Sequence, residues 1–83
     1  MVPKFFDIHA HINDARYDGD REAVLARMHQ NSVWSIQVGT DRRTSQSVAL
    51  MAAFVDHCVY AAIGIHPIDN QQERFDIHYF EEL

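Results

Sequence analysis

Strand-like and helix-like segments alternate along this chain, and that alternation restricts the possible folds more than any other feature. Three segments have the period-two or wholly apolar pattern of strands: residues 4–11, 33–38 and 58–65. Helical spacing of apolar residues follows the first two, over about 20–31 and 42–56, and a further helix is predicted after Asp76. The order β-α-β-α-β-α predicts an α/β fold with parallel strands and right-handed crossovers.

The first predicted strand carries the clearest chemical signal, the sequence His9-Ala10-His11. On a strand, residues i and i+2 share a face with Cα atoms roughly 6.5 Å apart, so both imidazoles can reach one metal ion. Neutral imidazole is a good ligand for zinc and other divalent first-row ions. Regular alternation also places Asp7 on that face, as a ligand or as a carboxylate that orients the ligands.

A simpler interpretation is that Asp7, His9 and His11 form the solvent-exposed face of a half-buried strand. Their position favours a site, because they lie toward the C-terminal end of a strand, where the sites of βα folds form. His66 also follows a strand, directly before Pro67. It is either a loop histidine or a group that lines the same site and contacts an anion or substrate.

Several polar residues are candidates for helix ends. Asp41 or Thr40 is expected to cap the second helix, and Asp18 or Asp20 the first. Asn31 is a candidate for the left-handed residue that ends the first helix. Arginines at the start of the second helix, Arg42 and Arg43, can bind phosphate but more often face solvent.

The third helix is expected to begin at an Asp76 cap, with Phe75 and Phe80 as a hydrophobic staple. No stop signal follows, and Glu81 and Glu82 would lie at the negative end of the helix dipole. We therefore expect the sequence to end within a structural element.

Composition restricts the functional classes. Seven Lys and Arg against 12 Asp and Glu give a net charge of −5, which weakly disfavours nonspecific binding to nucleic acid. Hydrophobic residues are 47% of the chain, an ordinary globular value, and this excludes a disordered tail. The longest apolar run, Val48 to Val55, is far shorter than the ~20 residues of a membrane span. With no recognisable signal peptide and one cysteine, Cys58, a cytoplasmic protein is expected.

The segments FFDIHAHIND, SIQVGTD and VYAAIGIHP, in this order and separated by helices, resemble the TatD family of metal-dependent hydrolases. The resemblance extends from near residue 4 to about Asp69. It implies a (β/α)8 TIM barrel with a divalent cation, Mg, Mn or Zn, at the C-terminal mouth of the strands. It also implies deoxyribonuclease activity on DNA or another phosphodiester.

Position by position, the resemblance makes His9 and His11 the first two metal ligands. It makes His66 the histidine of the family's GxHP motif at the mouth of the site, where it would bind substrate, and gives Asp7 a supporting role. The remaining ligands of the family, a glutamate, two histidines and an aspartate, come from later strands and have no counterpart here. A full barrel takes ~250 residues, so residues 1–83 are expected to form a single partial domain, an incomplete barrel with no complete catalytic set.

Two alternatives remain open at this stage. Amidohydrolase-type metal hydrolases share the H-x-H strand but cleave amides, lactones or phosphotriesters. An inactive remnant or interaction module would leave sheet edges unpaired, which predicts self-association of the truncated chain.

Overall fold

The computed structural model describes residues 3–55, 58–66 and 75–83, and these ranges contain the predicted alternation of strands and helices. The elements are β1 (Phe5–Ala10), α1 (Arg21–Gln30), β2 (Val33–Val38), α2 (Arg42–Phe54), β3 (Val59–Ala62) and α3 (Ile77–Glu81). A short 3₁₀ turn, Ala15–Tyr17, precedes α1. Pro67 and the sequence on to residue 74 lie outside the described residues, so the predicted end of the third strand at Pro67 is not tested.

The three strands form one parallel sheet in the order β1-β2-β3. Phe5 pairs with Val33 at one end, and Val38 pairs with Ala62 at the other. Since parallel strands point the same way, all three C-terminal ends lie along one edge of the sheet. This agrees with the N-terminal part of a TIM barrel.

Both helices that cross between strands cover the same face of the sheet. On the central strand, Ser35 and Gln37 are fully buried, whereas the residues between and beside them are only partly buried. Val48 of α2 is fully buried too, and α2 contacts both β2 and β3. Right-handed crossovers place successive helices on one side, which explains why one sheet face is covered.

The opposite face carries an uncovered aromatic cluster, which we define as Phe6, Trp34 and Tyr60. Their ring centroids lie 6.1–6.3 Å apart, and Phe6 and Tyr60 are 45% and 48% exposed. The apolar run through β3 predicts a strand buried on both faces, and that prediction is wrong for Tyr60. The residues of β3 are apolar on both faces of the sheet, but among the described residues helices cover only one of these faces.

The end of β2 leads into α2 through a capping box. The Asp41 Oδ1 atom accepts a hydrogen bond from the Thr44 amide at 2.7 Å, and the Thr44 hydroxyl accepts one from the Asp41 amide at 3.0 Å. This satisfies two amides at the start of the helix. Of the two candidate caps, the structure therefore selects Asp41.

The boundaries of α1 are as expected, with Asp20 and Asn31 as its flanking residues, but the contacts that cap it differ from expectation. Asp20 occupies the N-cap position without a side-chain capping bond, and Asp18 instead pairs with Arg21 at 2.7 Å. Asn31 has a φ of −99°, and its side-chain amide donates a hydrogen bond to the Arg27 carbonyl at 2.7 Å. The left-handed conformation falls on Ser32, with a φ of 57°.

The start of α3 is as expected. The Asp76 carboxylate accepts a hydrogen bond from the His78 amide, and Phe75 and Phe80 stack with their centroids 4.9 Å apart. Both the cap and the hydrophobic staple are therefore present. None of the helices in the described ranges has the length and apolar character needed to cross a bilayer.

Replacing Asp41 with alanine is expected to lower the free energy of unfolding by about 1 kcal/mol, the usual cost of losing a side-chain N-cap. Hydrogen bonds from the Thr44 hydroxyl and then the Thr44 amide hold the pKa of Asp41 below its ordinary value of 3.8. A carboxyl with a lower pKa in the folded state stabilises the protein above the unfolded pKa and loses that contribution as pH falls through the folded pKa. The stability difference between wild type and Asp41→Ala should therefore shrink only below about pH 4.

Urea denaturation at pH 7 measures the loss of unfolding free energy in Asp41→Ala, and the same experiment at pH 3 measures how much smaller that loss becomes. Asp20→Ala is the matched control, because Asp20 is an N-cap residue with no side-chain capping bond. Equal losses in the two variants at pH 7 would contradict the assigned role of Asp41.

Candidate metal centre

His9 and His11 lie next to each other at the C-terminal end of β1. Their ring centroids are 5.0 Å apart with an angle of 72° between the ring planes, and both residues are exposed. The two rings are therefore neighbours, as a pair of ligands for one ion requires. At this separation, one nitrogen from each ring can approach a single ion.

The His11 ring is held by the backbone of β2. Its Nδ1 atom lies 2.9 Å from the carbonyl oxygen of Val38, a group that can only accept a hydrogen bond. The Nδ1 atom must therefore carry a proton, which leaves the lone pair of a neutral ring on Nε2. A ligating histidine characteristically donates its other ring N–H to a carbonyl or carboxylate in this way, so the arrangement fits a divalent metal.

The pairing of β1 with β2 is less regular than expected just before the histidine pair. Asp7 pairs with Ser35, whereas Ala10 pairs with Gln37, so three steps along β1 match two along β2. Such an irregularity interrupts the alternation of side chains. The expectation of uninterrupted alternation from Asp7 through His11 is therefore wrong at this point.

Asp7 nevertheless stays close to the histidine pair. Its Oδ1 atom accepts a hydrogen bond from the His9 backbone amide at 3.1 Å, and its side chain lines a cleft shared with both histidines. This contact fixes the backbone that carries the His9 side chain.

His66 is brought to the same edge by the loop after β3. Its backbone amide donates to the Thr40 carbonyl at 2.7 Å, which ties that loop to the end of β2. His9, His11 and His66 line one cleft of about 340 Å³. The fold thus brings His66 to the cleft of the histidine pair, although 55 positions separate His11 from His66 in the sequence.

A buried serine holds the ends of β2, α2 and β3 together. The Ser45 hydroxyl accepts a hydrogen bond from the Gly64 amide and donates one to the Gly64 carbonyl, both at 3.0 Å. Gly39 lies so close to Ser45 that a Cβ atom there would be 2.5 Å from the Ser45 Cα atom. Sequence reasoning missed this junction, and its one local signal was a glycine directly after a strand.

The remaining candidate residues lie elsewhere. The guanidinium carbon of Arg42 is 5.5 Å from the ring centre of Tyr79, so Arg42 packs against α3. Arg43 lines a separate cleft beside His11. The Nδ1 atom of His29 in α1 lies 3.1 Å from the Cys58 sulfur, a contact that the sequence did not indicate.

The donor set on these residues is incomplete for a catalytic metal. Among residues 3–55, 58–66 and 75–83, no group of three or more His, Cys, Asp or Glu side chains is arranged to hold an ion. A catalytic zinc site usually has three protein ligands and a water. The His9–His11 pair therefore fits part of a metal site.

Comparisons with known proteins give a consistent result. The family described as TatD related DNase matches residues 6–83. The protein named uncharacterized metal-dependent hydrolase YabD, from Bacillus subtilis (strain 168), is 45% identical over 80 residues, which cover 94% of this chain and 31% of that protein.

Two further relatives have similar coverage. The 3'-5' ssDNA/RNA exonuclease TatD of Pectobacterium carotovorum subsp. carotovorum (strain PC1) is 36% identical over 81% of this chain and 26% of its own length. The protein named uncharacterized metal-dependent hydrolase YjjV, from Escherichia coli (strain K12), is 34% identical, again over 81% of this chain and 26% of its own length. The chain thus spans less than one third of the length of these relatives.

Proposed function

The chain belongs to the TatD-related DNase family, and from that premise we propose that it forms the first part of a metal-dependent hydrolase that cleaves phosphodiester bonds in nucleic acid. The observation that carries the proposal is the placement of His9, His11 and His66 around one cleft at the C-terminal edge of a parallel sheet. This edge is where βα barrels hold their active sites.

In this proposal His9 and His11 are ligands of a divalent cation. The proton on His11 Nδ1, fixed by the Val38 carbonyl, leaves the lone pair of a neutral ring on Nε2, and with ring centroids 5.0 Å apart both imidazoles would be able to hold the ion. A divalent cation held by these residues would supply Lewis-acid chemistry toward the phosphate and toward a nucleophilic water. Magnesium, manganese and zinc remain the candidates.

Asp7 and His66 have different proposed roles. Asp7 is a positioning residue, because its carboxylate binds the backbone amide of His9. His66 is proposed to bind substrate, since its side chain lines the cleft beside the histidine pair and an imidazolium or neutral imidazole can donate to a phosphate oxygen.

The proposed substrate is single-stranded nucleic acid, because two of the relatives are named 3'-5' ssDNA/RNA exonucleases. We propose that residues 1–83 belong to a single barrel domain acting in the cytoplasm, where a free thiol such as Cys58 is ordinary. The sheet geometry and the family match support the barrel, and the other ligands are proposed to come from further βα units.

The test uses the gene product that carries this chain, stripped of metal with a chelator and then supplied with Mg²⁺, Mn²⁺ or Zn²⁺. Oligonucleotides labelled at either end should stay intact without metal. After metal is restored, they should be shortened from the 3' end. An amide, a lactone and a phosphotriester serve as comparison substrates. If the protein cleaves one of these substrates and leaves the oligonucleotides uncut, the nuclease proposal is wrong and an amidohydrolase-type activity takes its place.

The uncovered aromatic cluster supports a second, structural proposal: the isolated 83-residue chain self-associates. Phe6 and Tyr60 expose about half of their surface on an open sheet face, and a large apolar patch on a soluble protein favours association. Sedimentation velocity of the 83-residue chain should show dimers or larger species, and Tyr60→Lys should reduce them. A single monomeric species in the wild-type chain would contradict self-association.

A further inference from the structure

Gln37 is a fully buried amide at the centre of the sheet. An uncharged amide is costly to bury unless its hydrogen-bonding groups have partners. Its oxygen accepts a hydrogen bond from the Ile12 backbone amide at 2.7 Å, and its nitrogen donates to the Ser35 hydroxyl at 2.8 Å. The amide orientation follows from chemistry, because an N–H group such as that of Ile12 requires an oxygen.

The bond to Ile12 occurs where β1 has left the sheet ladder. The last register pair of β1 is Ala10 with Gln37, and it follows the irregularity that begins at Asp7. Ile12 itself is buried, at 7% exposure, so its amide needs a partner within the protein. The Gln37 side chain supplies the acceptor that a longer ladder would otherwise provide.

His11 lies between two consecutive attachments made by Gln37. The backbone of Ala10 pairs with Gln37 on one side of it, and the Ile12 amide binds the Gln37 side chain on the other. The His11 ring then meets the Val38 carbonyl, which belongs to the next residue of β2. A shift of this short segment would therefore change the distance that fixes the proton on His11 Nδ1.

We propose that Gln37 is a positioning residue that sets the ring orientation and tautomer of His11 through its bond to the Ile12 amide. This inference rests on the proposed function for its link to metal binding, but it makes a claim about the metal-free chain that is tested separately. It differs from a general packing role, because it requires the bond to Ile12 and not the bond to Ser35.

The decisive variants distinguish the hydrogen bond at the Gln37 amide oxygen from the one at its amide nitrogen. Gln37→Met removes both hydrogen bonds at similar side-chain length. Gln37→Glu keeps an acceptor oxygen for Ile12, and Ser35→Ala removes only the partner of the amide nitrogen. Ser35→Ala is the matched control, since Ser35 is equally buried and lies two residues away on the same face of β2.

Measurements on the gene product that carries this chain, stripped of metal with a chelator, come first. Nitrogen-15 NMR should show His11 protonated on Nδ1 in wild type and in Ser35→Ala, and a mixture of tautomers in Gln37→Met. Hydrogen exchange of the Ile12 amide should accelerate at least about 10-fold in Gln37→Met but not in Ser35→Ala. Gln37→Glu should recover the wild-type tautomer at least in part.

Zinc titration of the same proteins supplies the metal readout. Affinity should fall about 10-fold in Gln37→Met, the low end of the loss seen when an orienting partner of a ligand is removed. If wild type fails to bind zinc, the proposed metal site fails, while the tautomer and exchange data still decide the role of Gln37.

Three results would overturn the inference. One is an unchanged His11 tautomer in a folded Gln37→Met protein. Another is an equal effect of Ser35→Ala, which would indicate packing alone. The third applies if Gln37→Met does not fold, and it is measured on the wild-type protein: an Ile12 amide that exchanges as fast as in an unfolded chain excludes its hydrogen bond to Gln37. Slow exchange of that amide, together with the wild-type His11 tautomer in Gln37→Glu, supports the inference.

Discussion

Replacing His9 with alanine is expected to reduce metal-dependent hydrolysis of single-stranded DNA by at least about 100-fold, beyond what loss of an orienting partner usually costs. The reason is that His9 and His11, with ring centroids 5.0 Å apart, are two of the proposed ligands, and removal of one nitrogen donor leaves the ion fewer ligands than a catalytic site needs. The assay uses the gene product that carries this chain, with saturating Mg²⁺, Mn²⁺ or Zn²⁺.

His78→Ala is the control for this experiment. His78 is an exposed histidine in α3, and the hydrogen bond that it gives to Asp76 comes from its backbone amide. Because His9 is exposed, its replacement should change the free energy of unfolding by no more than about 0.5 kcal/mol. Wild-type activity in a folded His9→Ala protein would contradict the proposal that His9 and His11 are metal ligands.

Gly39→Ala is expected to destabilise the fold by about 3 kcal/mol or more, the upper range for overpacking a buried site. A Cβ atom at this position would lie 2.5 Å from the Ser45 Cα atom and 2.7 Å from the Ser45 amide nitrogen. Both are backbone atoms, so relief requires α2 to move away from the sheet. That movement would also strain the two hydrogen bonds between the Ser45 hydroxyl and Gly64.

Thermal and urea denaturation measure this loss. Gly19→Ala is the matched control, because a Cβ atom on Gly19 meets nothing within 4 Å. The control should stay within about 0.5 kcal/mol of wild type. Two variants of equal stability would show that α2 can shift at little cost.

Local pattern was sufficient for most of the framework. Residues 33–38 were predicted as a strand and form β2 with the same limits, because β-branched residues and the following glycine act within a few positions. The caps Asp41 and Asp76 and the Phe75–Phe80 staple were also predictable, since each involves residues at most five apart. The closeness of the His9 and His11 rings belongs with them, because the two residues are only two positions apart along the chain.

Contacts between distant segments could not be read from the sequence. The Gln37–Ile12 bond spans 25 residues and the His29–Cys58 contact spans 29. Each depends on the register of a particular strand or on the angle at which a helix packs. The irregularity after Asp7 has the same origin, since a register is a relation between two strands and neither strand encodes it alone.

Sequence by itself therefore determined the order of elements, the helix starts and the presence of paired imidazoles at the end of β1. Tertiary structure decided that His66 joins them, that Tyr60 stays uncovered, and that a buried glutamine binds the segment around His11. The physical reason is that periodicity and capping are short-range, whereas burial and side-chain hydrogen bonds across the sheet exist only after the strands have paired.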